Sequence, residues 1–113
     1  MKLGVRVEED LRKRGTEYVV GQAFMRDNGR GLILGAENGV LKMLVAPDRK
    51  VLGVHILGPS ATELIHVGAM AMLQGATIDL FIDAVFNYPT LSELYKYAAY
   101  DALIALQRRS VSW

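Results

Sequence analysis

Short apolar runs separated by polar turns fill the first half of the chain, and this pattern is typical of β-structure. Asn38-Gly39 tolerates positive φ and predicts a hairpin, and a second turn is predicted where Pro47 opens the polar segment 47–50. Four runs joined by short connections indicate an antiparallel meander. The predicted strands cover residues 16–25, 31–35, 40–45 and 51–57.

The apolar spacing changes to a helical period after residue 59. Two capping-box patterns start the long helices: Ser60 with Glu63, and Thr90 with Glu93. The first long helix is apolar nearly all round, which predicts burial on more than one side. A short helix with acidic residues first and basic residues last precedes the strands. The predicted helices cover residues 7–14, 60–74, 77–85 and 90–109.

Strands first and helices afterwards predict an α+β fold. The expected architecture is an antiparallel sheet of four to five strands with helices packed on one face. The 113 residues correspond to one domain, so residues 1–113 are treated as a single interface domain. The length leaves no room for a dinucleotide-binding domain plus a substrate domain.

The apolar content is higher than a small soluble domain needs, at 51% with glycine left out. A small core cannot hold all of it, and a surplus on the surface usually marks a partner interface. The two long helices are expected to supply this surface, through the side chains of Leu64, Ile65, Met72, Leu91, Leu94 and Tyr95.

Charge and cysteine usage exclude several classes of function. The net charge is +1, which argues against a nucleic-acid or anionic-membrane footprint. Without any cysteine the chain forms neither disulfides nor thiolate metal sites, and its two histidines, His55 and His66, have no partners at ligand spacing. We therefore expect no metal. The charged N-terminus, residues 1–14, lacks a signal-type apolar run, so we expect a cytoplasmic protein.

Tyr88 and Glu93 are the candidate chemical residues. Tyr88 precedes a rigid proline, Pro89, and Glu93 follows five residues later, where its carboxylate could hydrogen-bond a group at position 88. The simpler alternative is that Glu93 completes a capping box while Tyr88 packs. A small self-contained enzyme using Tyr88, Glu93 and His66 is a further alternative, although no nucleophile–base–orienter set stands out.

Several ordered motifs resemble one known family. They are Val-Leu-Gly-Val-His-Ile-Leu-Gly-Pro at 51–59, Ala-Thr-Glu at 61–63, Gly-Ala-Thr at 75–77 and Tyr-Pro-Thr-Leu-Ser-Glu at 88–93. Together they resemble the C-terminal dimerisation domain of the pyridine nucleotide–disulfide oxidoreductases. The resemblance covers roughly residues 16–109.

The resemblance implies a homodimer within a larger FAD- and NAD(P)-dependent oxidoreductase. The FAD- and NAD(P)-binding domains of the family are absent from these 113 residues. Those domains of the parent would be further partners, and this chain alone would bind neither cofactor. In the family, the segment matching 88–93 reaches the partner's flavin, with a histidine before the proline oriented by the glutamate. Here Glu93 matches the glutamate, whereas Tyr88 stands at the histidine position.

The tyrosine changes the chemistry that the resemblance implies. A phenol with a pKa near 10 donates a hydrogen bond but is a poor base at neutral pH. The segment 86–90 looks most like soluble transhydrogenases, which need no such base, although dihydrolipoamide dehydrogenase and mercuric reductase types stay open. A free-standing adaptor that docks on a separate flavoprotein is the main alternative function.

Overall fold

Four strands and five helices make up the described part of the chain. The structure is a computed structural model that describes residues 2–4 and 8–111. The α+β class predicted from the sequence is confirmed. In chain order the elements are β1 (Lys2–Gly4), α1 (Glu8–Lys13), β2 (Val19–Phe24), α2 (Gly29–Leu34), β3 (Val40–Val45), β4 (Val51–Leu57), α3 (Ala61–Leu73), α4 (Asp79–Asp83) and α5 (Leu94–Val111), with 3-10 turns at Met25–Asp27 and Leu91–Glu93.

The sheet is antiparallel with the strand order β1-β4-β3-β2. Its three long strands lie where three of the four apolar runs predicted them. The prediction of four to five strands is therefore corrected to three long strands, with the three-residue strand β1 paired along β4 at one edge. β1 was not predicted, because three residues are too few to show a period.

The remaining predicted strand, at residues 31–35, is wrong: this segment belongs to α2 and its C-cap. The side chain of Asn28 accepts a hydrogen bond from the backbone N–H of Gly31 at 3.0 Å and so caps the helix. Gly35 ends it with a φ of 70°. Local caps at both ends thus outweigh the strand tendency of an apolar run. The predicted Asn38-Gly39 hairpin is instead part of the connection from α2 to β3.

The core lies between one face of the sheet and the helices α3 and α5. Alternate residues of β3, namely Leu41, Met43 and Val45, point into it. α5 lies unusually close to β2 at Gly21, where an added Cβ would stand 2.2 Å from the carbonyl oxygen of Ala98. Gly21 therefore determines how closely this helix approaches the sheet.

Tyr95 of α5 fills the centre of this core. Its ring stacks on Phe81 of α4 with the centroids 5.0 Å apart. Its hydroxyl donates to the carbonyl oxygen of Leu64 and accepts from the N–H of Gly68 at 3.0 Å. Burial raises the pKa of Tyr95 to about 12, although the bond from Gly68 opposes that shift. Tyr95 thus joins three helices.

The helices do not all pack on one face of the sheet, which corrects the prediction. The carboxylate of Glu8 on α1 pairs with Lys42 of β3, whose side chain points away from Leu41 and Met43. Hydrogen bonds from Lys42 and from Tyr18 hold the pKa of Glu8 below its usual value. α1 therefore covers the opposite face. Its helical prediction is confirmed from Glu8 onward, and residue 7 lies outside the described residues.

The predicted capping box at the start of α3 does not form. Ser60 adopts a left-handed conformation with a φ of 62°, and its side chain makes no capping hydrogen bond. The N–H groups of Glu63 and Leu64 bond to its backbone carbonyl instead. The helix itself is confirmed over 61–73. Within the described residues, no helix is long and apolar enough to cross a membrane.

The outer edge of β2 meets α5. The backbone N–H of Gln22 points away from β3 and donates to the carboxylate of Asp101 at 2.9 Å. Because β2 is the last strand in the sheet order, this N–H has no neighbouring strand to bond. Asp101 supplies the missing acceptor and fixes α5 along the sheet edge.

Candidate functional site

The candidate site lies on an irregular segment, residues 84–90, which connects α4 to the second 3-10 turn. The segment is held at both ends. The Lys96 ammonium donates to the carbonyl oxygen of Ala84 at 2.7 Å, and the Asn28 amide donates to the carbonyl oxygen of Thr90 at 3.1 Å. Between these two points the Tyr88–Pro89 peptide bond is cis.

Tyr88 is open to solvent with 77% of its surface exposed. One side of its ring lies against Gly29, the first residue of α2. A Cβ at Gly29 would stand 2.8 Å from the phenol oxygen and 3.0 Å from the adjoining ring carbon. The structure therefore presents an exposed hydroxyl on a ring that rests on a helix start.

Glu93 lies in the 3-10 turn and is partly exposed. Among the described residues, no hydrogen bond joins its carboxylate to Tyr88. The Thr90 side chain accepts from the N–H of Ser92 at 3.3 Å, so the predicted cap forms one residue earlier than the capping box requires. The roles of Tyr88 and Glu93 at a partner's flavin stay a prediction.

Four residues predicted for the subunit interface are corrected by their burial. Leu64, Leu91, Leu94 and Tyr95 all belong to the core of the single chain. Their helical stripe faces the sheet, because β2 to β4 need a helix layer to cover their apolar face. These four side chains leave little surface for a second subunit.

A different face of α3 is open. Ile65 and Met72, also predicted for the interface, are only partly buried. Three neighbours at helical spacing, His66, Met70 and Leu73, are exposed, with Leu73 at 76%. We call these three residues the outer α3 face. An apolar helix thus buries one side in its own core and leaves another uncovered.

Two residues at the site were not singled out from the sequence. Asn28 and Gly29 were interpreted as part of a turn, yet they contact Thr90 and Tyr88. The available signal was an asparagine three residues before Gly31, which is the spacing of a helix cap. No local signal indicates the contact with residues sixty positions later.

Comparisons with known proteins agree with this architecture. Residues 4–99 match the family described as pyridine nucleotide-disulphide oxidoreductase, dimerisation domain. Over 97 residues the chain is 50% identical to the soluble pyridine nucleotide transhydrogenase of Mycobacterium bovis, and over 100 residues it is 41% identical to that of Pseudomonas fluorescens. Each match covers 85% of this chain but only 21% and 22% of the relative.

Solved structures give the same fold. The HOCl-induced flavoprotein disulfide reductase RclA from Escherichia coli aligns with a TM-score of 0.75 and 26% identity, covering 83% of this chain and 22% of that one. LpdA from Mycobacterium tuberculosis aligns with a TM-score of 0.77 and 22% identity, covering 98% and 22%. The chain belongs to the dimerisation-domain family of the pyridine nucleotide-disulphide oxidoreductases.

Proposed function

We propose that this chain joins the two subunits of an FAD-dependent, NAD(P)-linked oxidoreductase of the cytoplasm, of the soluble transhydrogenase type. The observation that carries the proposal is its 50% identity to soluble pyridine nucleotide transhydrogenases over 97 residues. The chain spans about a fifth of their length, so the flavin and nucleotide domains would lie in the remainder of the parent protein. The dihydrolipoamide dehydrogenase type is the nearest alternative.

The outer α3 face supports a homodimer. Identical subunits related by a two-fold axis present the same surface to each other, so one exposed helix can pack against its own copy. Met70 and Leu73 give this face flexible apolar side chains. Their burial against a second subunit would remove apolar surface from water. His66 lies on the same face and would adjoin the contact.

Leu73→Glu is expected to weaken self-association of the chain at least tenfold. The substitution places a carboxylate in the proposed contact, where its desolvation opposes assembly. Sedimentation equilibrium over a dilution series measures the dissociation constant. Leu57→Glu is the matched control, because Leu57 is 45% exposed at the end of β4 and, by strand alternation, lies on the sheet face opposite the core residue Ile56. An unchanged dissociation constant for Leu73→Glu would contradict this assignment of the contact.

Tyr88 and Glu93 are proposed to act at the flavin site of the partner subunit. The exposed phenol suits a hydrogen-bond donor. A hydroxyl donor fits hydride transfer between nicotinamide cofactors through FAD better than dithiol exchange, which needs a base. The chain carries no glycine-rich dinucleotide fingerprint, so FAD and NAD(P) would be held by other domains of the parent.

Tyr88→Phe in the full-length parent is expected to lower turnover about tenfold, because one donor is lost while the ring remains. Steady-state hydride transfer from NADH to an NADP analogue measures the effect. The dissociation constant of the dimer should stay unchanged, because the fold keeps the aromatic ring. Turnover equal to that of the unmodified protein would exclude a direct role for Tyr88.

A further inference from the structure

We infer that Asn28 and Gly29 are positioning residues that fix the Tyr88 phenol for the partner subunit. The inference rests on the proposed function, because it assigns Tyr88 a task at the flavin site. It goes further in giving the task of orienting Tyr88 to the cap and first residue of α2. Glu93, which the sequence suggested for this task, makes no hydrogen bond to Tyr88 in the described chain.

Asn28 connects the start of α2 to the segment 84–90 through the oxygen and the nitrogen of its side-chain amide. Its oxygen accepts from the N–H of Gly31 at 3.0 Å, and its nitrogen donates to the carbonyl oxygen of Thr90 at 3.1 Å. The residue is only 3% exposed. A buried amide with both ends bonded has one favourable orientation. The position of Thr90 is thereby tied to the start of α2.

Gly29 supports the ring of Tyr88 directly. A Cβ at position 29 would stand 2.8 to 3.1 Å from three ring and hydroxyl atoms of Tyr88. The ring is mostly exposed, so it can swing away from an added methyl group without disturbing the core. Gly29 is helical, and alanine favours a helix more than glycine does. Gly29→Ala should therefore move the phenol while preserving the fold.

The support from Asn28 and Gly29 matters because the segment between its two held ends has no regular secondary structure. Residues 84–90 form neither helix nor strand, and Tyr88 makes no hydrogen bond within the described residues. An exposed tyrosine on such a segment samples several rotamers. A displacement of about 1 Å can cost a reaction about a hundredfold in rate. The contacts from Asn28 and Gly29 restrict that freedom before the subunits meet.

Nuclear Overhauser contacts in this 113-residue chain test the geometry without any turnover. We expect contacts between the Tyr88 ring protons and the Gly29 α-protons in the unmodified chain. In Gly29→Ala these contacts should weaken, the Tyr88 resonances should shift, and the melting temperature should not fall. A Tyr88 ring without contact to Gly29 in the unmodified chain would overturn the inference.

A double-mutant cycle in the full-length parent tests the consequence. Gly29→Ala alone is expected to lower kcat about tenfold, with KM nearly unchanged. The double variant with Tyr88→Phe should have nearly the same kcat as Tyr88→Phe alone, because the hydroxyl that Gly29→Ala displaces is already absent. Additive losses would mean that Gly29 acts without Tyr88 and would overturn the inference. If Tyr88→Phe alone leaves kcat unchanged, the proposed role of Tyr88 at the flavin site fails. The nuclear Overhauser contacts between Tyr88 and Gly29 still test whether Gly29 positions the ring.

Two further variants separate the hydrogen bond from Asn28 to Thr90 from the capping of α2 by the same side chain. Asn28→Asp and Asn28→Ser both keep an oxygen that can cap α2, but both lose the amide N–H that donates to Thr90, and the serine hydroxyl sits on a shorter side chain. Each is expected to lower kcat severalfold and to shift the Tyr88 resonances. Asn28→Ser carries no buried charge, so it remains informative if the aspartate variant does not fold. Unchanged Tyr88 resonances in a folded Asn28→Ser chain would show that the hydrogen bond from Asn28 to Thr90 does not position Tyr88, and would overturn this part of the inference.

Discussion

Replacement of Tyr95 by alanine should lower the free energy of unfolding by about 4 kcal/mol. The ring is fully buried, stacks on Phe81, and has α3 and α4 as neighbours. Removal of a buried aromatic ring loses its transfer free energy and leaves a cavity that packed helices fill only in part. Urea unfolding followed by circular dichroism measures the loss.

Tyr95→Phe is the control, with an expected loss of about 1 kcal/mol. The hydroxyl bonds to the carbonyl of Leu64 and the N–H of Gly68, which lie four residues apart. The two groups stand at the spacing of the hydrogen bonds within α3 itself, so neither loses its only partner when the hydroxyl is removed. A phenylalanine variant as unstable as the alanine variant would show that the hydroxyl, and not the ring, stabilises the core.

Gly21→Ala is expected to destabilise the chain by about 3 kcal/mol, at the upper end of the usual cost of overpacking. The added Cβ would stand 2.2 Å from the carbonyl oxygen of Ala98 and 2.7 Å from the backbone nitrogen of Ala102. Both atoms belong to the backbone of α5, so no side chain can rotate to make room. The helix and the strand must separate instead. Thermal and urea unfolding measure the change.

Gly35→Ala separates this steric effect from a general cost of losing glycine. No atom lies within 4 Å of a Cβ at Gly35, but its φ is 70°. Left-handed backbone costs a residue with a side chain about 1–2 kcal/mol. We expect Gly35→Ala to be less destabilising than Gly21→Ala. The reverse order would mean that α5 can move away from β2 at little cost.

Much of the sheet and both long helices could be predicted from the sequence. The runs at 40–45 and 51–57 are apolar, bounded by turns and rich in β-branched residues. The run at 31–35 has three apolar residues between two glycines and forms part of α2, because so short a run shows no distinct period. There the caps at Asn28 and Gly35 decide the structure. Periodicity therefore sufficed for long elements and failed for short ones.

The predicted interface shows a second limit of periodicity. A helical stripe marks the side that is buried, but it does not say whether the neighbour is the chain's own sheet or another subunit. The stripe with Leu91, Leu94 and Tyr95 turned out to face the sheet. The exposed apolar residues Met70 and Leu73 lie outside the stripe that the sheet covers.

The candidate site was only partly predictable. The motif around Pro89 drew attention to Tyr88 and Glu93, and it indicated an entry to a helix. Asn28 reaches Thr90 across 62 positions of sequence, and a single sequence without its fold carries no sign of such a pairing. Residues that position a site from a distant part of the sequence, such as Asn28, are therefore harder to predict than the motif that carries the site.

The bond between Gln22 and Asp101 bears on aggregation. An edge strand with free N–H groups is a template on which another chain can add a strand, the first step towards fibrils. At Gln22 the outward N–H is already bonded to a carboxylate, and the same carboxylate would repel an incoming carbonyl oxygen. Any strand that pairs along β2 must first displace α5 at this point. The helix contact thus also protects the sheet from growing by edge-to-edge addition.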